Sequence, residues 1–393
     1  MKALSILATA AAAVGLAASV SAVRADTIKV GVIGPLSGPF SIFGTNFQWG
    51  IEAYQHDHGD KVGDDTVEFV YRDLPGVDPA KSYSLAQELV VKERVQYLAG
   101  AYFTPNALAI TPLLESANVP LVVLNAATSS ITTSSPLAVR TSFTMWQNSV
   151  PAAKAAKEGG LTKVITVVSD YGPGVDAETA FATTFTAEGG EIVESLRLPL
   201  STRDFNPVMQ RIKDSGADGV FVFLPGGPPT LGFMKSYLGN DLKSAGIGII
   251  STGDVMTEPD LPAIGDIGIG LRTTYHYSTA HDSDVNRAFL KSIAAIGGNV
   301  DQATMASVAA YDGAHVIYKM IEATGGKQDA AAAVKAVEGM SWESPRGPVS
   351  IDPETRHITQ NVYLREMQKV DGKYQNTEIE TYPAQPDWGL VKQ

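Results

Sequence analysis

Short runs rich in valine, isoleucine and leucine alternate with longer segments whose apolar residues recur at helical spacing, and this alternation organises most of the chain. The runs predict strands at 28–33, 67–72, 97–101, 121–124, 164–169, 192–198, 219–224, 248–251 and 271–277. Between the first two, Phe43, Phe47, Ile51 and Tyr54 fall at i, i+4, i+8 and i+11, the apolar stripe of a helix lying on a sheet. The next helix opens at Asp78-Pro79, where Asp caps free N–H groups and Pro presets the first helical φ, and runs to about 93. Further helices are predicted at 105–117, 147–158, 175–188, 207–214, 230–238, 284–296, 304–323 and 329–337, with strands returning at 349–351 and 360–370. Strands separated by helices in this way imply parallel sheets covered on both faces, an α/β doubly wound class.

A length of 393 residues suits two domains, each large enough to bury its own core. No Pro/Gly/Ser linker separates them, which suggests that the chain passes between domains more than once, in short segments that act as hinges. Ligands of open α/β sheets collect outside the carboxyl ends of the strands, so function is sought there.

Residues 1–25 read as a signal peptide: Lys2 starts it, 4–20 is an apolar, Ala-rich run, and Val23 and Ala25 precede a cut before Asp26. A cut after Ala22 is the alternative. The run has about 17 residues where a membrane span needs about 20. The chain contains no cysteine, which removes lipid anchoring through a thiol, disulfides, thiolate nucleophiles and cysteine zinc sites. A freely diffusing periplasmic protein is expected. Cleavage removes Lys2 and Arg24 and moves the net charge from −12 to −14, and no Lys/Arg cluster offers a face for nucleic acid.

Gly31-Val-Ile-Gly34-Pro-Leu-Ser-Gly38 has the spacing G-x-x-G-x-x-x-G, not that of a dinucleotide fingerprint. Neither a nucleophile elbow, a zinc helix nor a P-loop is present, so no catalytic residue, cofactor or metal is expected. His56-Asp-His58 lies in a charged run without a third ligand in reach. His276, between Tyr275 and Tyr277, either edges the cleft or alternates outward on its strand, the strand reading being preferred. Thr104 precedes Pro105, which puts its hydroxyl beside the free N–H groups of a helix start; that is either a plain cap or a cradle for a carboxylate. Asp73 and Asp78 are assigned to turn and cap, and Arg140 to a hinge.

The glycine segment, together with Asp73…Asp78-Pro79, Gly100-Ala-Tyr-Phe-Thr104, Asn125-Ala-Ala-Thr128, Arg140-Thr141, Asp170-Tyr-Gly172 and Tyr311-Asp312, resembles the periplasmic leucine/isoleucine/valine-binding protein family of ABC transporters. The motifs run in the family's order through the mature chain. The resemblance implies a type I periplasmic binding protein: two doubly wound parallel-sheet lobes joined by three hinge crossings near Ser142, Tyr275 and Arg346. The lobes would be 26–142 plus 276–346 and 143–275 plus 347–393, with the ligand between them. Lobe closure would present a small molecule to a membrane permease and its ATPase, the binding protein acting as a monomer. A sensing module of the same fold, reporting to a receptor, is the competing role.

The family places hydroxyls at Thr104 and Thr128 and backbone groups at Ala126 on the ligand's carboxylate, an aromatic at Phe43 beside its side chain, and Tyr171 over it. Three positions depart from the amino-acid binders. Gly226 stands where they carry Tyr, Tyr102 where an aliphatic residue is common, and Gly253 where a Glu pairs with the ammonium, Asp254 following one residue late. If Asp254 reaches the site, a branched-chain or hydrophobic amino acid is expected; otherwise an aromatic or aliphatic acid or amide without an α-ammonium.

Overall fold

The computed structural model describes residues 26–391; the expected export segment lies outside them. Six strands, β1 (Thr27–Gly34), β2 (Lys61–Val62), β3 (Asp65–Asp73), β4 (Tyr97–Gly100), β5 (Leu121–Val123) and β6 (Ala138–Arg140), form one sheet in the order β2-β3-β1-β4-β5-β6. Only β2 and β3 pair antiparallel. The second sheet holds β7 (Lys163–Ser169), β8 (Glu191–Leu198), β9 (Gly219–Phe223), β10 (Gly248–Thr252), β11 (Arg272–Tyr275), β12 (Ser341–Ser344), β13 (Gly347–Ile351), β14 (Ile358–Val370) and β15 (Lys373–Gln385). Its order is β12-β13-β14-β11-β10-β9-β7-β8, with β15 on β14. The strands from β7 to β11 are parallel, and β11 to β15 join antiparallel. Crossover helices bury the parallel strands, which explains their near-continuous apolar runs.

The helices are α1 (Ser41–His58), α2 (Pro79–Glu88), α3 (Thr104–Ala117), α4 (Ser130–Ser134), α5 (Met145–Glu158), α6 (Gly172–Ala187), α7 (Asn206–Asp214), α8 (Pro228–Gly239), α9 (Leu261–Ile264), α10 (Asp284–Ala295), α11 (Met305–Thr324) and α12 (Ala330–Val337). Phe43, Phe47 and Ile51 of α1 are buried, as their spacing predicts. Asp78 caps α2 by accepting from Lys81 N at 2.9 Å, and α2 runs on as a π-helical turn, Leu89–Glu93. The His56-Asp-His58 run serves packing: Asp57 accepts from Ser292 Oγ at 2.6 Å and from the Tyr311 hydroxyl at 3.1 Å.

The chain passes between the two bodies three times. It leaves the first sheet after β6 for α5, which packs on β10, β11 and β14; it returns after β11, where α11 packs on α1 and β5; and it crosses again before β12. The boundary expected at 346 counts β12 with the first lobe, whereas β12 pairs with β13, Ser341 opposite Ser350 and Trp342 opposite Val349. Pro345-Arg346 form the tight turn of that hairpin, between Ser344 and its partner Gly347. β15 escapes the periodicity because Lys, Glu, Thr and Gln dominate a half-exposed strand.

Arg346 fastens two of the crossings. Fully buried, it donates from Nη2 to Thr141 O at 2.8 Å, from Nη1 to Ser142 O at 3.1 Å, and from Nε to Asp312 Oδ2 of α11 at 3.1 Å. Asp312 also accepts from Trp342 Nε1 at 2.8 Å and Ser344 Oγ at 2.7 Å.

Candidate ligand site

The carboxyl ends of β1, β4 and β5 face those of β7, β9 and β10 across the cleft. After β1, Asp73 Oδ1 accepts from Leu36 N at 2.8 Å and Ser37 N at 3.1 Å, shaping the loop that launches α1. Phe43 of α1 stacks on Tyr102 with ring centroids 4.8 Å apart. Ala101 turns the chain after β4 through φ +62, a conformation that costs an L-residue of order 1 kcal/mol and is found at functional strand ends. That turn carries Tyr102 into the cleft, where its hydroxyl donates to Gly226 O at 3.2 Å on the opposite lobe.

Two of the three departures from the amino-acid binders acquire a steric reason. A Cβ on Gly226 would stand 2.8 Å from Phe43 Cζ, so the Phe43 ring occupies the room a side chain at 226 would need. A Cβ on Gly253 would stand 2.2 Å from Tyr275 Cγ and 2.4 Å from Arg365 Nη2. Gly253→Ala is therefore expected to destabilise the protein by about 1–3 kcal/mol through overpacking, read as a lowered midpoint in urea unfolding.

Asp254 supplies the carboxylate instead. Only 4% exposed, it accepts from Thr252 Oγ1 on Oδ2 and from the Tyr275 hydroxyl on Oδ1, each at 3.0 Å. Burial pushes its pKa up to about 6, against the pull of those two hydrogen bonds and of the Arg365 charge. Burial and then the neighbouring Asp254 raise the Tyr102 and Tyr171 phenols well above their ordinary range, so both remain donors.

Thr104 is not the cap of α3. Phe103 holds that position without a side-chain bond, and Thr104 Oγ1 meets the Thr128 hydroxyl at 3.2 Å. Gly172, the first residue of α6, closes on this pair: a Cβ there would lie 2.6 Å from Thr128 Oγ1 and 3.5 Å from Thr104 Cγ2. The amino ends of α3 and α6 thus converge on two hydroxyls, and the positive ends of both helix dipoles favour an anion there.

Beside the pair lies a small, tightly closed cavity of about 10 Å³, lined by Tyr102, Asn125, Ala127, Phe143, Met145, Tyr171, Pro173, Phe223, Pro225 and Asp254. Tyr171 and Phe223 stack with centroids 6.2 Å apart. Asn125 Nδ2 donates to Tyr102 O at 2.8 Å, and since a carbonyl can only accept, this fixes the amide orientation. Asn125 Oδ1, buried, has no protein donor among the described residues.

Of the expected site residues, Tyr102, Tyr171 and Asp254 line the cavity, Thr104 and Thr128 pair next to it, and Phe43 and Gly226 back Tyr102. Ala126 sits behind, its N–H committed to Ala101 O at 2.9 Å. His276 does not point outward: it lies one residue past β11, fully buried, and stacks on Phe143 at 4.7 Å. Asn125, Phe143 and Phe223 were not singled out. Asn125 belongs to the Asn125-Ala-Ala-Thr128 motif but reads alone as a turn residue, Phe223 looks like core in an apolar run, and Phe143, between Ser142 and Thr144, carries no pattern of its own.

The family model for periplasmic binding proteins matches residues 27–373. This chain belongs to that family. The binding protein is 63% identical over 386 residues to Leu/Ile/Val-binding protein homolog 6 of Brucella melitensis, covering 98% of each chain. It is 66% identical, with a TM-score of 0.93, to the solute-binding protein of an ABC transporter from R. palustris solved in complex with 4-hydroxybenzoate, covering 94% of this chain and all of that one. A solute-binding protein from Rhodopseudomonas palustris BisB5, solved with 3,4-dihydroxybenzoic acid, is 42% identical with a TM-score of 0.88, covering 93% and 99%. The type I fold, two α/β lobes joined by three crossings, and a place among ABC solute-binding proteins follow for this chain. No helix among the described residues is long and apolar enough to cross a membrane.

Proposed function

We propose that this protein captures a ring-hydroxylated aromatic carboxylate of the 4-hydroxybenzoate type and delivers it to an ABC permease. The observation that carries the reading is the chemistry of the cavity: four aromatic rings line it together with Asn125, whose buried Oδ1 has no protein donor among the described residues, and Asp254, whose carboxylate keeps lone pairs beyond its bonds from Thr252 and Tyr275. Buried acceptors call for donors, and a phenolic hydroxyl is a donor on a flat apolar body. Its carboxylate meets Thr104 and Thr128 at the converging helix ends, with Tyr171 closing from the second lobe. Phe43 and Gly226 hold Tyr102 in place, and Ala126 supports the strand end. Relatives solved with 4-hydroxybenzoate and 3,4-dihydroxybenzoic acid support this substrate class.

Two lobes, 26–142 with 276–340 and 143–275 with 341–393, close over the ligand, since only contacts better made closed than open give affinity. The cleft supplies hydroxyls, amides and rings for binding, and the role is carriage without turnover. Removal of 1–25 releases an unanchored periplasmic monomer, whose closed form a permease with its ATPase engages. The names of the curated relatives favour a leucine-type ligand, with an ammonium on Asp254.

Calorimetry of the mature protein separates the two. Tight binding of 4-hydroxybenzoate, weaker binding of benzoate and no heat with leucine is the expected result. Leucine binding without 4-hydroxybenzoate binding overturns the proposal.

A further inference from the structure

Thr128 and the residue after it are held by a buried cluster of polar contacts that reaches beyond the cleft. Arg140 at the end of β6, fully buried, donates from Nη2 to Thr128 O at 2.6 Å. Burial lowers its guanidinium to about 10, which leaves it protonated at neutral pH. Its Nη1 lies 2.9 Å from His357 Nδ1. A guanidinium has donors only, so Nδ1 must accept and the imidazole proton sits on Nε2. Burial, followed by the Arg140 charge, lowers the His357 pKa, in keeping with a neutral ring.

His357 Nε2 is 3.0 Å from Asp387 Oδ2, 3.2 Å from Ser129 O and 2.9 Å from Thr132 Oγ1. Asp387 lies past β15 and is 3% exposed. Its Oδ1 accepts from Ser129 Oγ at 2.7 Å, Thr144 Oγ1 at 3.2 Å and Gly389 N at 3.1 Å. The cluster thus runs from the Thr128 carbonyl through Arg140 to His357, whose Nε2 stands 3.0 Å from Asp387 Oδ2 in contact without a hydrogen bond, while Asp387 Oδ1 in turn holds the hydroxyl of Ser129. From the second lobe, Asp176 Oδ2 accepts from Ser129 N at 3.0 Å.

We propose that His357 and Asp387 are positioning residues for ligand capture, holding the Thr128–Ser129 turn through Arg140 in the orientation that meets the ligand's carboxylate. This rests on the reading of Thr128 as a carboxylate contact. Asp387 supplies the counter-charge that keeps Arg140 paired in the interior, and the neutral imidazole between them sets the direction of the guanidinium. Asp387→Asn retains the shape but presents an NH₂ group either to the His357 Nε2 proton or to the three donors that converge on Oδ1.

The test is a double-mutant cycle on 4-hydroxybenzoate affinity, measured by calorimetry on the mature protein, Thr128→Ala, Asp387→Asn and the double variant. Asp387→Asn is expected to weaken binding about tenfold, and the double variant to bind no worse than about twofold below Thr128→Ala, because the second change acts only through the first. Wild-type affinity for Asp387→Asn, or simple multiplication of the two losses, overturns the proposal. Wild-type affinity for Thr128→Ala fails the underlying site reading instead, and takes this inference with it. If Asp387→Asn does not fold, nitrogen chemical shifts of the unmutated protein decide: His357 must carry its proton on Nε2, and an Nδ1-protonated or charged ring overturns the arrangement.

Discussion

Asp254→Ala is expected to weaken 4-hydroxybenzoate about ten- to a hundredfold while leaving benzoate within about threefold. A hydrogen bond to a charged group is worth about 1.5–3 kcal/mol, and each 1.4 kcal/mol is tenfold in affinity. Benzoate presents no hydroxyl to Asp254, so it has little to lose there. Calorimetric titration of both acids into both proteins checks the difference, and equal losses for the two acids would remove Asp254 from the specificity argument. The same carboxylate predicts a pH dependence. Its pKa of about 6 lies above the ordinary 3.8, and a donating phenol favours the ionised form. Binding is therefore full above about pH 7 and weakens as the pH falls through 6 towards 5, by at most about tenfold per unit. Asp254→Asn, which has no proton to gain in that range, is expected to lose that component of the pH profile.

Asp312→Ala is expected to destabilise the protein by about 3–5 kcal/mol, because it strips a buried guanidinium of its carboxylate in a region from which water is excluded. Arg346 and Asp312 are both 0–1% exposed in their side chains, so no solvent compensates the loss. Arg346 ties the crossing at Thr141 and Ser142 to α11, so the loss falls on the joint between the lobes. Urea unfolding gives the size of the effect. A change below about 1 kcal/mol would mean that the carbonyls of Thr141 and Ser142 and the Gln360 amide hold Arg346 unaided.

Much of this was legible from the order of residues because it depends on local rules. Continuous apolar runs between amphipathic stretches dictate parallel strands under helices, Asp78-Pro79 dictates a helix start, and the absence of cysteine excludes thiol chemistry wherever the chain goes. Strand ends could be read as the site because loops and helix N-termini gather there in any open α/β sheet.

Other features exist only when distant segments meet. That Asp254 enters the cavity while Gly253 cannot bear a side chain depends on Tyr275 and Arg365, which come from later strands. Thr104 reads as a cap until Thr128 and Gly172, 24 and 68 residues on in the numbering, arrive over it. His276 looks free to face solvent until Phe143 stacks on it in the interior. Likewise, Asn125 reveals an unmet acceptor only once its amide nitrogen is seen to be committed to Tyr102. Sequence by itself determined the elements and the end of the sheets at which a ligand sits, since those follow from periodicity and chain direction. Tertiary structure alone decided which of the candidate side chains line the cavity and how burial shifts their pKa values, since burial and hydrogen-bond partners are set by residues remote in the chain.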